Sequence, residues 1–219
     1  VSMVRHAAVS RSVGYMRIWR LEDGGMIRNT HDAWGWPAVV LHWVIALLVI
    51  GLFGFGLWMK EVPARPDRPF YYAIHASIGI TVLALMVVRF VWWLRNTTPV
   101  LPEGTPPWQS RVSKISHRLL YALTFATLGV GWLLSGTMRQ PIQPVLFGLI
   151  PVPQILEGRT FHSPLEFAHE YLAYALIALV VVHAGAALYH HFIKRDNVLR
   201  RMLAPAPPPI SSSAASQDA

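Results

Sequence analysis

Four stretches of this chain run without a single Asp, Glu, Lys or Arg: Val39 to Met59, Phe70 to Val88, Leu119 to Met138, and Tyr171 to Phe192. Each is close to the ~20 residues an α-helix needs to cross a hydrocarbon core, and core helices of water-soluble proteins seldom run that far uncharged. The pattern predicts an all-α membrane protein, a four-transmembrane-helix bundle. A fifth apolar segment, Pro141 to Pro153, is interrupted by four prolines and is expected to lie along the outer surface rather than cross. The chain contains no internal repeat.

Composition agrees with this pattern. With 53% hydrophobic and 14% charged residues and a mean hydropathy of +0.39, the chain is too apolar for an ordinary soluble domain. Charge placement then orients the bundle. Arg5, Arg11, Arg17, Arg20 and Arg28, then Arg89, Arg95, Arg111, Lys114 and Arg118, then Lys194, Arg195, Arg200 and Arg201 all fall on the side of the N-terminus. The opposite loops carry only Lys60, Arg65, Arg68, Arg139 and Arg159, so both termini are expected in the cytoplasm. The net charge of +8 belongs to this asymmetry and suits an anionic membrane lipid surface, not nucleic acid. Trp34, Trp36, Trp43, Trp58, Trp92, Trp93 and Trp108 lie near the span ends, as an interfacial belt requires.

The chain divides into a basic N-terminal tail (1–32), a membrane domain (33–203) and a Pro/Ala/Ser-rich tail (204–219) expected to be disordered. Residues 1–25 lack the apolar run and cleavage site of a secretory signal. Because Met26 precedes a plausible lead-in, the first residues are read either as an over-extended start or as a basic cytoplasmic tail.

Histidines supply the candidate chemistry. His169 and His183 stand fourteen residues apart on the last span, roughly 21 Å along the axis and within roughly 40° of one face. His42 lies near the inner end of the first span and His75 near the outer end of the second. Depth therefore matches His42 with His183 and His75 with His169. A zinc or copper site gathers three or four ligands at one depth, whereas these come in twos, as the axial ligands of a six-coordinate haem do. Two stacked bis-histidine haems would move electrons between membrane faces. The absence of cysteine excludes disulfides, iron–sulfur clusters and covalent c-type haem attachment, so both haems would be held non-covalently.

Other residues carry open alternatives. Gly79, one turn after His75, either lets a porphyrin approach the backbone or packs against a helix. Arg89, fourteen residues after His75, either neutralises a haem propionate at the inner level or snorkels to inner phosphates. Arg68, with Lys60, Arg65 and Arg159, forms either a positive mouth for a small anion or ordinary loop charge, with Glu61, Asp67 and Glu157 nearby. His117 is either an interfacial side chain beside Lys114 and Arg118 or a propionate or quinone contact. His162 is expected to be exposed. His190 and His191 point about 100° apart, so at most one faces the bundle. His6 and His31 carry no signal.

LHW at His42, DRPFYYAIHASIG from Asp67 to Gly79, VVRF around Arg89, SHRLLY at His117, and HEYLAYALIALVVVHAGAALYHHFIKRDNVLRRML from His169 to Leu203 resemble the bacterial cytochrome b561 family over about residues 33 to 204. The resemblance implies a four-helix, multi-pass bacterial inner-membrane protein with two haem b groups held between helices. It makes His42 and His183 the inner ligands, His75 and His169 the outer ones, and gives His190 or His191 a structural or quinone-proximal role. It also implies ubiquinone as electron acceptor or donor. The best-understood members oxidise superoxide at the periplasmic face and reduce ubiquinone. The long N-terminal extension, longer third loop and C-terminal tail depart from the family, which bears on the electron donor more than on the haems. Two function classes remain: a self-contained superoxide:ubiquinone oxidoreductase, and a cytochrome b anchor subunit carrying electrons between quinone and a separate dehydrogenase, hydrogenase or reductase as redox partner.

Overall fold

Proline opens the first three long helices, where its missing N–H costs nothing because the first turn has no intrahelical partner for it. In this computed structural model, which describes residues 27–203 except 63, 65 and 103, α1 spans Trp36–Glu61, α2 Arg68–Arg95 and α3 Pro107–Ser135. α4 spans His162–Tyr189 and continues into a π-helical turn, His190–Lys194, followed by a short α5, Arg200–Leu203. Between α3 and α4 a two-stranded antiparallel ladder pairs β1, Val145–Leu146, with β2, Ile150–Pro151. Most of the expected N-terminal tail, the whole of 204–219, His6 and Arg65 lie outside the described residues.

Among the described residues, four helices are long and apolar enough to cross a membrane, as the sequence predicts. They overrun the uncharged stretches. α3 begins twelve residues before Leu119 and carries Arg111, Lys114 and Arg118, while α4 begins nine before Tyr171 and carries Glu166 and Glu170. Lys, Arg and Glu are good helix formers, so charge marks where the hydrocarbon ends and not where the helix does.

α1 packs along α2, α2 along α3 and α3 along α4, whereas α1 and α4 touch only lightly. Ile45 and Leu52 of α1 meet Val82 and Met86 of α2 in the buried core, flanked by Tyr121, Phe125 and Leu128 of α3. Outward-facing Leu47, Val88, Val181 and Val182 are exposed, as a lipid-facing surface requires. The two described chain ends meet at one end of the bundle, the termini end. There Asn29 Nδ2 donates to the Thr97 carbonyl at 2.9 Å and Thr97 Oγ1 donates back to the Asn29 carbonyl at 3.2 Å. Arg201 reaches the Val100 carbonyl at 2.7 Å, and Trp43 Nε1 reaches the Met202 carbonyl at 2.6 Å. Gly35 makes the lead-in possible, because a Cβ there would stand 2.1 Å from the Ile27 carbonyl oxygen.

The segment Pro141 to Pro153 forms no spanning helix, as expected. It folds into the β1–β2 hairpin and descends alongside α2, where the Val145 N–H donates to Ser77 Oγ and the Phe147 N–H to Thr81 Oγ1, each at 3.0 Å. The prolines break the helix, and hydroxyls on α2 accept two of the hairpin's N–H groups.

Candidate functional site

α4 carries His169 and His183, and the site is assembled against them. The structure brings His183 to His42 of α1, with ring centres 6.3 Å apart and planes at 70°. It brings His169 to His75 of α2, with ring centres 6.2 Å apart and planes at 84°. These are the partnerships that depth matching predicts, the first toward the termini end and the second toward the far end. A metal–imidazole bond of about 2.0–2.1 Å on each side puts two imidazole centres about 6 Å apart across one metal atom. Both pairs have that spacing. Among the described residues no group of three or more His, Cys, Asp or Glu forms a metal-ion cluster.

The far-end pair is the better defined. His169 Nδ1 donates to the Thr127 carbonyl at 3.0 Å. A carbonyl only accepts, so Nδ1 holds the proton and Nε2 keeps a free lone pair. His75 has a buried Nδ1 with no hydrogen-bond partner. A histidine retained as a polar tie between helices would be bonded, and an unbonded buried group costs about 1–3 kcal/mol. Around both rings lies a cavity with about 1430 Å³ of atom-free space including its open mouth, walled by all four helices and by Ile142 and Pro144 of the hairpin segment. Gly79 faces this cavity, and a Cβ there would meet nothing within 4 Å, so no neighbouring helix packs on it. The spacing, the lone pair, the unbonded nitrogen and the apolar walls fit a flat, two-liganded group such as haem.

At the termini-end pair, Arg89 Nη1 donates to the Ala38 carbonyl at 2.9 Å, and Nη2 approaches His42 Nδ1 at 3.5 Å. Arg89 is thus turned inward, not extended to phosphates. The second contact is at the long limit of a hydrogen bond. With Nε2 on a metal, Nδ1 would keep its proton and have nothing to offer a guanidinium, leaving the Ala38 carbonyl and the Tyr121 hydroxyl to hold the arginine. His117, donating from Nδ1 to the Ser113 carbonyl at 2.7 Å, sets its ring 5.2 Å from that of His183. It is therefore a third imidazole at this end. His190 Nδ1 bonds the Asp196 carboxylate across the π-helical turn.

The far-end mouth differs from the positive funnel considered from sequence. Lys60 is paired with Glu170 at 3.0 Å, and the charged residues lining the cavity are Lys60, Glu166 and Glu170, one base against two acids. The early turns of α4 put both carboxylates on the cavity side. Arg68 begins α2 and does not line the cavity. His162 is not simply exposed: its Nδ1 lies 3.1 Å from Thr137 Oγ1, itself fully buried.

Sequence reasoning missed the residues that seat the rings. A Cβ at Gly131 would stand 2.8 Å from His169 Cε1, and one at Gly56 would stand 3.4 Å from His75 Cε1. Phe55 stacks on His75 with centres 6.1 Å apart. The available signal was Thr127 and Gly131, two small residues four apart on one face of α3.

The family profile of prokaryotic cytochrome b561 matches residues 33–205. The chain is 33% identical to Cytochrome b561 homolog 2 of Escherichia coli (strain K12) over 178 residues, 80% of this chain and 93% of that protein. It is 28% identical to Probable superoxide oxidase CybB of Yersinia pestis over 173 residues, covering 79% and 97%. It is also 28% identical to Cytochrome b562 of Cereibacter sphaeroides over 173 residues, covering 76% and 92%.

Proposed function

The chain belongs to the prokaryotic cytochrome b561 family, and from that membership we propose that it holds two non-covalent b haems, one at each histidine pair, and oxidises superoxide while reducing ubiquinone. Membrane electron transfer at the bacterial inner membrane is the family's work. In this reading the termini end faces the cytoplasm, His42 and His183 hold the inner haem, and His75 and His169 hold the outer one. Haem held by these histidines would supply one-electron transfer. Two superoxide anions yield two dioxygen molecules and two electrons, and ubiquinone takes those electrons with two protons to become ubiquinol.

The observation that carries the reading is the pair of ring spacings, 6.3 and 6.2 Å, at two depths. The protein's own part is positional. The Thr127 carbonyl fixes the His169 tautomer, Arg89 sets a cation beside His42, and the mainly apolar cavity wall surrounds His75 and His169. Gly79 provides close approach to the backbone, and His117 and His190 stand at the quinone-proximal end.

Extracted haem should approach two per chain in the parent. It should fall to about one in His75→Ala or His169→Ala, and separately in His42→Ala or His183→Ala. Stopped-flow mixing with superoxide should reduce the haem faster than spontaneous dismutation, and a ubiquinone analogue should reoxidise it. One haem per chain, or full retention in all four variants, overturns the assignment. One observation favours the second reading, an anchor subunit for a separate redox enzyme: among the described residues lining the cavity, the acids Glu166 and Glu170 outnumber Lys60, which opposes the approach of a small anion. Haem that ignores superoxide but is reduced by a co-purifying protein establishes that reading instead.

A further inference from the structure

The β1–β2 hairpin reaches deep along α2. Thr81, which receives the Phe147 N–H, is thirteen residues into a 28-residue helix, about 20 Å from its far end at 1.5 Å per residue. It lies six residues beyond His75, about 9 Å toward the termini end. The hairpin tip therefore sits between the levels of the two histidine pairs. We propose that the hairpin is a re-entrant element whose tip is embedded among the acyl chains of the bilayer, forming the wall between lipid and the cavity around His75 and His169.

Four observations carry this. First, Val145 to Val152 contains no polar or charged side chain, while Arg139, Gln140, Gln143, Gln154, Glu157 and Arg159 flank it at the base. Second, the tip's large side chains point away from the protein: Leu149 is 82% exposed, Ile150 57% and Phe147 56%. At the level of the middle of a membrane helix, the medium outside the protein is hydrocarbon. Third, the opposite side of the segment is protein-facing, with Pro144 fully buried and, with Ile142, lining the cavity.

Fourth, the backbone N–H groups of the hairpin find acceptors within the protein, as the donors of any segment inside lipid must. Val145 and Phe147 donate to the α2 hydroxyls. Thr81 Oγ1 donates its own proton to the Ser77 carbonyl at 2.9 Å, which leaves its lone pairs for Phe147. Gly148 N–H turns to the Val145 carbonyl, Leu149 N–H to that of Leu146, and Val152 N–H to that of Pro144. Leu146 and Ile150 face each other in the ladder, and Pro144 and Pro151 have no N–H to satisfy. The tight reversal puts Phe147 and Gly148 at φ 52° and 71°. For Phe this is a costly left-handed conformation, here serving to aim the tip outward.

The chain has no cysteine, so single-cysteine variants of the full protein take one nitroxide label each. In phosphatidylethanolamine–phosphatidylglycerol vesicles, Leu149→Cys and Ile150→Cys labels should collide freely with dissolved oxygen and poorly with a water-soluble nickel chelate. Labels at Gln154→Cys and Glu157→Cys should do the reverse, with oxygen-to-nickel accessibility ratios at least tenfold lower than at the tip. Two tip positions guard against one variant failing to fold, which loss of solubilised, monodisperse protein reports. Tip labels as open to nickel as the base labels overturn the proposal in favour of a water-exposed loop. Tip labels shielded from both reagents overturn it in favour of a second copy of this chain covering the hairpin.

Discussion

A ring-bearing ligand needs a seat as well as a partner, and Gly131 is the sharpest instance. Its missing Cβ leaves space for the His169 ring, which would otherwise meet a methyl group 2.8 Å from Cε1. Gly129, two residues earlier on α3, has nothing within 4 Å of its Cβ position. Both are mid-helix glycines, so Ala should raise helix propensity at either by about 1 kcal/mol. We expect Gly129→Ala to keep the parent's haem content and gain stability, and Gly131→Ala to displace His169. The latter should lose the haem of that pair or shift its absorbance and midpoint potential. Redox titration of the two variants side by side checks this. Equal behaviour would mean that the ring has another place to go.

At the scale of elements, the hairpin depends on two hydroxyls of α2. Thr81→Val keeps the shape of the side chain but removes the acceptor for the Phe147 N–H. An orphaned N–H in a dry setting costs about 1–3 kcal/mol. Faster amide exchange at residues 145–149, with the four long helices unchanged, is the expected outcome; unchanged exchange would show that the hairpin is held by its apolar contacts alone. This element was also the least legible from sequence. The four spans follow from the uncharged stretches, and the pairing of His42 with His183 and His75 with His169 follows from counting residues along helices of known rise. Counting works because depth in a bilayer is one coordinate. The hairpin's descent depends on Ser77 and Thr81 facing a loop some 68 residues away, and the charge of the mouth on a helix start that no apolar boundary marks. Both are pairings between distant segments, which periodicity along one segment does not encode. His75 illustrates the same limit: its place on a span was plain, and its unpartnered nitrogen was not.

For the whole molecule, an even number of crossings puts both described chain ends at one end of the bundle, where Arg201 and Asn29 are both tied to the loop after α2. From the arginine and lysine asymmetry we propose that this end faces the cytoplasm. An alkaline-phosphatase reporter fused after Leu203 should be inactive, and one inserted after Arg139 active. The reverse pattern would exchange the two faces and, with them, the direction in which electrons cross.

Every candidate ligand pair takes one member from α4, which is synthesised after the other three long helices described. This turns a spatial arrangement into a schedule. A nascent chain holding α1 to α3 already displays His42 and His75, yet it has no complete seat at either level until His169 and His183 arrive. Cofactor capture would then wait until α4 has been made, and both seats would be completed by the same docking step. A chain ending at Arg159 should insert in the membrane yet acquire no haem, whereas replacing one ligand of the full chain removes only one. Retention of a single haem by the shortened chain would mean that His42 or His75 finds its partner elsewhere.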